Sequence, residues 1–253
     1  MPEITVSVIS HGQGELILPL LQQLSSIAKV LPLRVIVTEN MPGTGGALVP
    51  LGEGLYDQLI ANPQPKGFGA NHNAAFERCV TPFFCVINPD IRLDGEPFSG
   101  LCEVLRAAPG IAAPCVMNSA GSLEDSARRV PTPARLWRRA VCGKRQADYV
   151  PHGGVVTVDW VAGMLMMFDT DVFRRLGGFD DRFHMYCEDV DVCLRAHLAG
   201  FSVQWATGVR VVHDAQRESH RKWKYRAWHV ESMARLLLSR SYLDFLCQRR
   251  RAG

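Results

Sequence analysis

The sequence predicts an α/β fold built on a mostly parallel central sheet that helices flank. Two observations support this fold class. Short runs of apolar, β-branched residues alternate with helical patterns through the first half of the chain, and turn residues bound most of these runs. Such alternation is typical of parallel βαβ units, which gather ligand-binding residues at the carboxyl ends of the strands. The 253 residues, 47% of them hydrophobic, are enough for one large domain.

The first half of the chain reads as strands separated by helices. A Gly/Pro-rich stretch, MPGTGGALVPLGEG, should break regular structure after the second strand. Strands are predicted at 4–9, 33–38, 56–61, 83–87 and 111–114, and helices around the leucines at 16, 20, 21 and 24, after the turn at Gly67, and over 97–107.

The second half begins with a turn-rich basic segment over 118–153. The segment VVTVDWV then predicts a strand, MLMMF continues an apolar run, and FSVQW and GVRVV predict two further short strands. A helix over 184–199 carries an acidic cluster and stops at Gly200, and a long basic helix covers 221–247. We therefore expect one domain over 1–213 and a basic helical extension over 214–253.

Charge is distributed unevenly along the chain. Residues 210–253 contain 11 Lys/Arg against four Asp/Glu, whereas the whole chain carries a net charge of only +3. The small total gives no reason to expect a nucleic-acid partner. The basic C-terminal part predicts either a surface that faces phosphates or lipid head groups, or a solvated basic helix.

The eight cysteines form no CxxC pair, and the first residues, MPEITVSVIS, lack the basic-then-apolar order of a secretory signal. No apolar run approaches the roughly 20 residues that span a bilayer. These features predict reduced thiols in a cytoplasmic protein that is soluble or peripheral to the inner face of the membrane.

The triplet Asn88-Pro89-Asp90 follows the predicted strand 83–87. A proline there ends the strand and leaves Asp90 at the carboxyl edge of the sheet, where a carboxylate could hold Mg²⁺ or Mn²⁺ while substrate phosphates supply further oxygens. The alternative is an Asn-Pro-Asp turn whose side chains satisfy local backbone donors. A dinucleotide-binding fingerprint is not completed after the first strand, because Ile17 stands where its third glycine would fall.

Glu188, Asp189 and Asp191 form an acidic cluster near the start of the predicted helix 184–199. On a helix, Asp189 and Asp191 lie about 200° apart and cannot both face one site. Asp191 can pair with Arg195 one turn later, which leaves Asp189 to face a cleft and accept a proton. The alternative is an ordinary acidic first turn that complements the helix dipole.

Together, these segments resemble the family 2 glycosyltransferases of the GT-A fold, and most closely their rhamnosyltransferase-like branch. The resemblance lies within residues 4–213. It is carried by TVSVISHG, VTEN, PKGFGANHNAAF, INPDI and the long block WVAGMLMMFDTDVFRRLGGFDDRFHMYCEDVDVCLRAHLAGF, which VRVVH follows.

The resemblance implies a role for several residues. Asp189 matches the catalytic base, Asp90 matches the metal-binding acid of the family, and His213 matches a histidine that approaches the metal or the diphosphate. The metal implied is Mg²⁺ or Mn²⁺. Donor contacts are implied at Ser10, Glu39, Gly69, Asn73, Asn88 and Asp90. Trp160 and Glu188 are the candidate acceptor contacts, although Trp160 could equally pack in the core.

The activity implied is inverting, metal-dependent transfer of one sugar, with rhamnose as a candidate. The donor would be dTDP-, UDP- or GDP-linked. The acceptor would be a hydroxyl of a glycan or lipid-linked glycan in cell-surface polysaccharide synthesis. The QxxRW signature of processive members is missing, which favours a single transfer. Ser10-His11-Gly12 replaces the usual Thr-Tyr-Asn, and Glu39 replaces an Asp. These departures motivate a second hypothesis, a non-catalytic sugar-nucleotide-binding subunit; a nucleotidyltransferase is a third.

Two basic segments could meet an anionic partner. Residues 128–145 contain seven Lys/Arg and no acid, so they could close over the diphosphate, meet an anionic acceptor or form an ordinary loop. The predicted helix 221–247 places Trp223, Tyr225 and Trp228 among basic residues, a pattern typical of an interfacial membrane anchor. The alternatives are a helix packed on the domain and a homodimer contact.

Overall fold

The structure, a computed structural model, describes residues 3–12, 14–42, 54–135, 147–213 and 223–252. Its strands are β1 (Ile4–Ser10), β2 (Leu33–Glu39), β3 (Gln58–Ala61), β4 (Phe83–Ile87), β5 (Ile91–Leu93), β6 (Gly110–Asn118), β7 (Ala127–Arg128), β8 (Val155–Thr157), β9 (Trp160–Val161), β10 (Leu165–Asp169) and β11 (Ser202–His213). Its helices are α1 (Gly14–Ile27), α2 (Phe68–Phe76), α3 (Phe98–Ala107), α4 (Thr170–Leu176), α5 (Glu188–Leu198), α6 (Trp223–Leu237) and α7 (Arg240–Ala252).

The central sheet is mixed but mostly parallel, which confirms the predicted α/β class. Its strand order is β3-β2-β1-β4-β10-β6-β11-β5, and β8 pairs with β11. The first four strands are parallel, β10 runs antiparallel to both of its neighbours, and β6 and β11 are again parallel. The parallel strands β1, β2 and β4 therefore end at one edge, where Ser10 lies opposite Glu39.

Two hydrophobic cores lie on the two faces of this sheet, because alternate residues of a strand point to opposite sides. In β4, Phe84 and Val86 belong to one core, whereas Phe83, Cys85 and Ile87 belong to the other. Three of the four leucines predicted to line the first helix, Leu20, Leu21 and Leu24 of α1, are fully buried beside β1 and α3, and Leu16 is half-buried. The opposite core receives α4, α5 and part of α6 and α7.

The predicted single helix over 221–247 is wrong, since the chain forms α6 and α7 instead. The hydroxyl of Ser239 accepts the backbone N–H of Tyr242 at 3.2 Å, which is how a serine caps a new helix. Leu236, Tyr242 and Phe245 are buried in the core that α5 also joins. Both helices therefore pack on the α/β domain, while the division of the chain at 213/214 stays a prediction.

Other predicted elements changed their bounds. The segment 155–161 is two strands, because β8 pairs with β11 while β9 pairs with β7 in a separate two-stranded sheet. The two strands predicted within 201–212 are one strand, β11, with a shift of register between Ala206 and Arg210. The helix predicted over 184–199 begins only at Glu188, and the short strand β5 was not predicted.

Some sequence features fall partly outside the described residues: 43–53 of the Gly/Pro-rich stretch, 136–146 of the basic segment, and 214–222. The cysteines in the described ranges are free thiols, and Cys142 lies outside them. Within the same ranges, every helix is too short or too polar to cross a membrane.

A candidate active site at the carboxyl edge of the sheet

Asp90 leaves the sheet where the sequence predicts, in the turn between β4 and β5. The backbone N–H of Asn88 donates to the carbonyl of Met164 at 2.9 Å, and that of Ile91 donates to the carbonyl of Asn88 at 3.2 Å. The Asp90 Oδ1 atom is buried and has no hydrogen-bond partner in the described part of the chain. A buried oxygen that lacks a partner is costly, so Asp90 has an acceptor available for a ligand.

His213 approaches Asp90 from the last position of β11, where it lies between β5 and β6. Its Nε2 atom is 3.2 Å from Asp90 Oδ2, and its Nδ1 donates to Glu124 Oε2 at 2.8 Å. Burial alone would lower the pKa of His213, but the hydrogen bonds and charges of Asp90 and Glu124 outweigh it and raise that pKa to about 9. Sequence reasoning missed Glu124, because no motif surrounds it.

Asp189 occupies the first turn of α5, directly after a strained turn. Tyr186 and Cys187 have φ values of 73° and 68°, in the left-handed region that non-glycine residues seldom adopt. Backbone groups hold the Asp189 carboxylate: Oδ1 accepts the N–H of Val190 at 2.8 Å, and Oδ2 accepts the N–H of Gly163 at 3.1 Å.

The pKa of Asp189 lies above its ordinary value. Burial raises it, while the N–H groups of Gly163 and Val190 and the charge of Arg128 act in the opposite direction. The carboxylate is thus positioned by the backbone and destabilised by its surroundings, a combination suited to a group that accepts a proton.

Residues 163 and 164 connect the two acid-bearing segments. The Gly163 N–H donates to Asp189, and the carbonyl of the next residue, Met164, accepts the N–H of Asn88, two positions before Asp90. The segment that precedes Asp90 and the Asp189 carboxylate therefore bond to adjacent residues at the carboxyl end of β4.

The other two acids of the cluster are buried. Arg195 Nε donates to Asp191 Oδ2 at 2.7 Å, which confirms the predicted pair, and the hydroxyl of Ser241 donates to Asp191 Oδ1 at 2.6 Å. Asp191 thus joins α5 to α7 and has a structural role. Glu188 is 6% exposed, its Oε2 has no partner in the described ranges, and burial together with the charge of Asp189 raises its pKa well above normal.

Trp160 has the surroundings of a core residue. It is 7% exposed, its indole N–H donates to the Arg129 carbonyl at 3.0 Å, and the Arg128 guanidinium lies 5.2 Å from the ring centroid. These contacts favour the packing alternative for Trp160 over sugar stacking.

The predicted donor contacts fall into two groups. Ser10, Glu39 and Asn88 stand at or just after the ends of the neighbouring strands β1, β2 and β4, next to Asp90 in the sheet. Ser10 and Glu39 are buried, and the Ser10 hydroxyl has no partner in the described residues.

Gly69 and Asn73 instead lie in α2 and hold the loop that leads to α5. A Cβ atom on Gly69 would lie 2.7 Å from the Cβ of Phe179, so only glycine permits this approach. The Asn73 amide donates to the Phe179 carbonyl and to Asp181 Oδ1, each at 2.8 Å, and accepts the Phe179 N–H at 2.9 Å. In this structure both residues act on the loop before Asp189.

A buried asparagine network behind the strand ends was not predicted. Asn62 donates to the side-chain oxygens of Asn40 at 2.9 Å and Asn71 at 2.6 Å, and the Lys66 N–H donates to Asn40 at 2.8 Å. The network fixes the segment between β3 and α2. Asn40 and Asn71 are visible in VTEN and GANHN, and Asn62 follows the third strand, but their mutual contacts depend on the tertiary fold.

The residues around Asp90 fit a cation that arrives with a phosphate-bearing ligand. In the ranges that the structure describes, no group of three or more His, Cys, Asp or Glu could hold a metal ion by itself. Asp90 and His213 nevertheless offer a carboxylate with one unpaired oxygen and an imidazole. Mg²⁺ and similar hard cations need only one or two protein ligands when phosphates supply the remainder.

Comparison of the sequence with relatives supports an enzyme of sugar transfer. Rhamnosyltransferase WbbL of Escherichia coli (strain K12) is 25% identical over 255 aligned residues, which cover 95% of each chain. The N-acetylglucosaminyl-diphospho-decaprenol L-rhamnosyltransferase of Mycobacterium tuberculosis (strain ATCC 25618 / H37Rv) is 27% identical over 212 residues, covering 74% of this chain and 68% of that protein.

Comparison with solved structures supports the GT-A fold. The mannosyltransferase PcManGT from Pyrobaculum calidifontis, in complex with GDP-Man and Mn²⁺, superposes with a TM-score of 0.62 at 17% identity. The match covers 94% of this chain and 65% of that one. At this identity the likeness bears on the fold alone, and it confirms the predicted GT-A architecture.

The family comparison covers most of the chain. Residues 2–235 match the family described as "Glycosyltransferase like family 2". The protein therefore belongs to glycosyltransferase family 2 and is a glycosyltransferase.

Proposed function

We propose that the protein is an inverting, metal-dependent glycosyltransferase that moves one sugar from a nucleoside-diphosphate donor to a hydroxyl group of a glycan or lipid-linked glycan. The observation that carries this proposal is that Asp189 and Asn88, two positions before Asp90, bond to the adjacent residues Gly163 and Met164. One acid is then available for a cation on the donor diphosphate and the other for the acceptor hydroxyl.

Asp189 is the proposed general base. It takes the proton of the acceptor hydroxyl as that oxygen bonds to the anomeric carbon, and the bond from this carbon to the diphosphate breaks on the opposite face, which inverts the configuration. The raised pKa of Asp189 makes the carboxylate a stronger base than an exposed aspartate. The N–H groups of Gly163 and Val190 keep it oriented.

Asp90 and His213 are the proposed ligands for Mg²⁺ or Mn²⁺. When bound, the cation would supply positive charge that stabilises the diphosphate as it leaves. The buried, unpaired Asp90 Oδ1 supports this assignment, and the structure named for PcManGT contains Mn²⁺. With a neutralised leaving group, no second acid is needed to protonate it.

The donor is proposed to lie along the ends of β2, β1 and β4, where Glu39, Ser10, Asn88 and Asp90 follow one another. Gly69 and Asn73 would support this site through the loop they hold. Rhamnose is the first sugar to test because two relatives are named as rhamnosyltransferases. The nucleotide could be dTDP, UDP or GDP.

A lipid-linked acceptor is proposed because the mycobacterial relative is named for a diphospho-decaprenol substrate. Glu188, buried next to Asp189 with an unpaired oxygen, is the remaining candidate for an acceptor contact. On this view the enzyme acts on the cytoplasmic face of the membrane in cell-surface polysaccharide synthesis.

Membrane contact, if it occurs, would use the outer face of α6 rather than all three aromatic residues of its first turns. Trp223 is 81% exposed and Val230 69%, whereas the rings of Tyr225 and Trp228 contact each other and Trp228 also contacts His184. We expect Trp223→Ser with Val230→Ser to reduce flotation with anionic liposomes. Unchanged flotation would favour a packing or homodimer role for this face.

Donor turnover tests the proposed function. Thermal shifts with UDP, dTDP and GDP, each with Mn²⁺, should identify the nucleotide, since a ligand stabilises the fold only as far as it binds it. Transfer from the matching sugar donor should then give a product of inverted anomeric configuration by NMR. Tight donor binding with neither transfer nor donor hydrolysis would support the alternative, a non-catalytic sugar-nucleotide-binding subunit, and a retained configuration would exclude the single-displacement mechanism.

A further inference from the structure

Glu124 contacts His213 on the side of the ring away from Asp90. The Nδ1 atom of His213 donates to Glu124 Oε2 at 2.8 Å, while Nε2 faces Asp90 Oδ2 at 3.2 Å. Each ring nitrogen of His213 therefore contacts a carboxylate.

The backbone around Glu124 is held firmly. Its N–H donates to the carbonyl of Val116 in β6 at 2.8 Å, and Leu123 forms a bridge with Met117. In the turn between them, the Asn118 side-chain oxygen accepts the N–H groups of Ala120 at 3.0 Å and Ser122 at 2.8 Å. The Glu124 side chain is thus presented by a hairpin with its own hydrogen bonds, at the end of β6 next to His213.

The two acids beside His213 differ in what they can offer a ligand. Asp90 keeps a second oxygen that is buried and has no partner in the described residues. Glu124 Oε2 accepts from Nδ1 of His213, the ring nitrogen on the side away from Asp90. The side chains of His213 and Glu124 are only 16% and 26% exposed, so their contact is largely shielded from solvent. Loss of one partner should therefore affect the fold as well as the orientation of the ring, and the test below separates the two effects.

We infer that Glu124 is a positioning residue for the cation site: it fixes the ring of His213 so that Nε2, rather than Nδ1, faces Asp90 and the donor diphosphate. This inference rests on the proposed metal role of Asp90 and His213. A carboxylate that accepts the second N–H of a metal-binding histidine fixes the tautomer and the ring plane and makes the free nitrogen a better ligand.

The test measures Mn²⁺ binding to the full chain in the presence of the nucleoside diphosphate that gives the largest thermal shift, by electron paramagnetic resonance of the free ion, with a nucleotide-only sample as the blank. Glu124→Ala should weaken Mn²⁺ binding by about 10–100-fold, the range found when such supporting groups are lost. Glu124→Gln should recover most of the affinity, because its amide oxygen can still accept from Nδ1. Glu124→Asp, one methylene shorter, should resemble Glu124→Ala. The exposed Glu103→Ala in α3 serves as the matched control.

A second readout separates positioning from general damage. In Glu124→Ala, the Mn²⁺ concentration for half-maximal transfer should rise while kcat at saturating Mn²⁺ stays near wild type. Thermal midpoints in EDTA, measured for each variant, check the fold; should Glu124→Ala not fold, Glu124→Asp and Glu124→Gln still give the comparison.

The outcomes are distinguishable. Wild-type affinity in Glu124→Ala, together with lost binding in Asp90→Asn, would overturn the role of Glu124 and leave the metal site intact. An equal loss in Glu124→Gln and Glu124→Ala would also overturn it, because orientation by the hydrogen bond would not be the cause. Absence of Mn²⁺ binding in the wild type would remove the metal proposal and this inference together.

Discussion

Asp90 and Asp189 differ in how they are held, although the segments that carry them bond to the adjacent residues Met164 and Gly163. Asp90 contacts a side chain from a remote strand, His213, which a second side chain, Glu124, supports. Asp189 is held by backbone N–H groups, one from its own helix and one from Gly163. Side chains therefore position Asp90, whereas main-chain N–H groups position Asp189.

This difference teaches how each function can be altered. The surroundings of Asp90 can be tuned by substitution of one partner at a time. Within the described residues, the Asp189 carboxylate is bonded by backbone N–H groups and by no side chain. We therefore expect it to respond to its own replacement, to a change in nearby charge or to a change in the loop before α5. The variants below test this comparison, in order of decreasing expected effect.

Asp189→Asn should give the largest loss. Removal of a general base costs about 10²–10⁴-fold in kcat, and the amide cannot take the acceptor proton. Donor affinity should change little, because the proposed role of Asp189 is on the acceptor hydroxyl and not on the diphosphate. Steady-state kinetics and nucleotide thermal shifts measure the two effects. Asp171→Asn, exposed in α4, is the control; an unchanged kcat in Asp189→Asn would refute the base assignment.

Asp191→Ala should damage the fold rather than the chemistry. The substitution removes the only acid that Arg195 contacts in the described residues, although its guanidinium keeps the carbonyls of Leu176 and Gly178, and it removes the carboxylate that accepts from Ser241. Loss of one partner of a buried pair costs about 3–5 kcal/mol of unfolding free energy. Urea unfolding measures the loss. The same change at Asp171, whose side chain is 77% exposed, should cost less than about 1 kcal/mol. Equal costs at the two positions would contradict a structural role for Asp191.

Asp90→Asn should act on the donor instead. We expect donor affinity in Mn²⁺ to fall by about 10–100-fold, so that it matches the affinity in EDTA, because the amide lacks the charge that holds the cation. Isothermal titration of the best nucleotide diphosphate, with and without Mn²⁺, checks this. A metal-dependent gain that persists in the variant would place the cation elsewhere.

Arg128→Gln should give the smallest effect, visible only in the pH profile. The Arg128 charge lowers the pKa of Asp189, so its removal should raise that pKa further. A base must be deprotonated to act. As the pH is lowered, the variant should therefore lose activity at a higher pH than the wild type does, while both reach the same activity at alkaline pH. The neighbouring Arg129→Gln, whose guanidinium lies over Tyr149, is the control. If the activity of Arg128→Gln were instead lost at a lower pH than in the wild type, the influence of Arg128 on the pKa of Asp189 would be contradicted.

The sequence predicted those parts of the site that local patterns control. Pro89 after an apolar strand was enough to place Asp90 at the sheet edge, and the four-residue spacing of Asp191 and Arg195 was enough to pair them. Glu124 could not be found this way, because its partner His213 is 89 positions distant and the contact depends on β6 and β11 lying side by side.

Burial and contacts between residues distant in sequence explain what the sequence could not decide about Trp160. The sequence left sugar stacking and core packing equally open for Trp160. The contacts that favour packing come from β7, a strand of only two residues, which brings Arg128 over the ring. The boundary between α6 and α7 did have a local signal, the serine that caps the second helix at position 239, and a capping analysis would have found it.

The turn at Tyr186 and Cys187 connects the proposed base, Asp189, to α6. The Ser232 hydroxyl donates to the Met185 carbonyl at 2.8 Å, and the rings of Trp228 and His229 contact those of His184 and Tyr186. These contacts support the segment before Asp189 and do not reach the ends of β1, β2 and β4. We expect substitutions in α6 to reduce sugar transfer more than nucleotide binding.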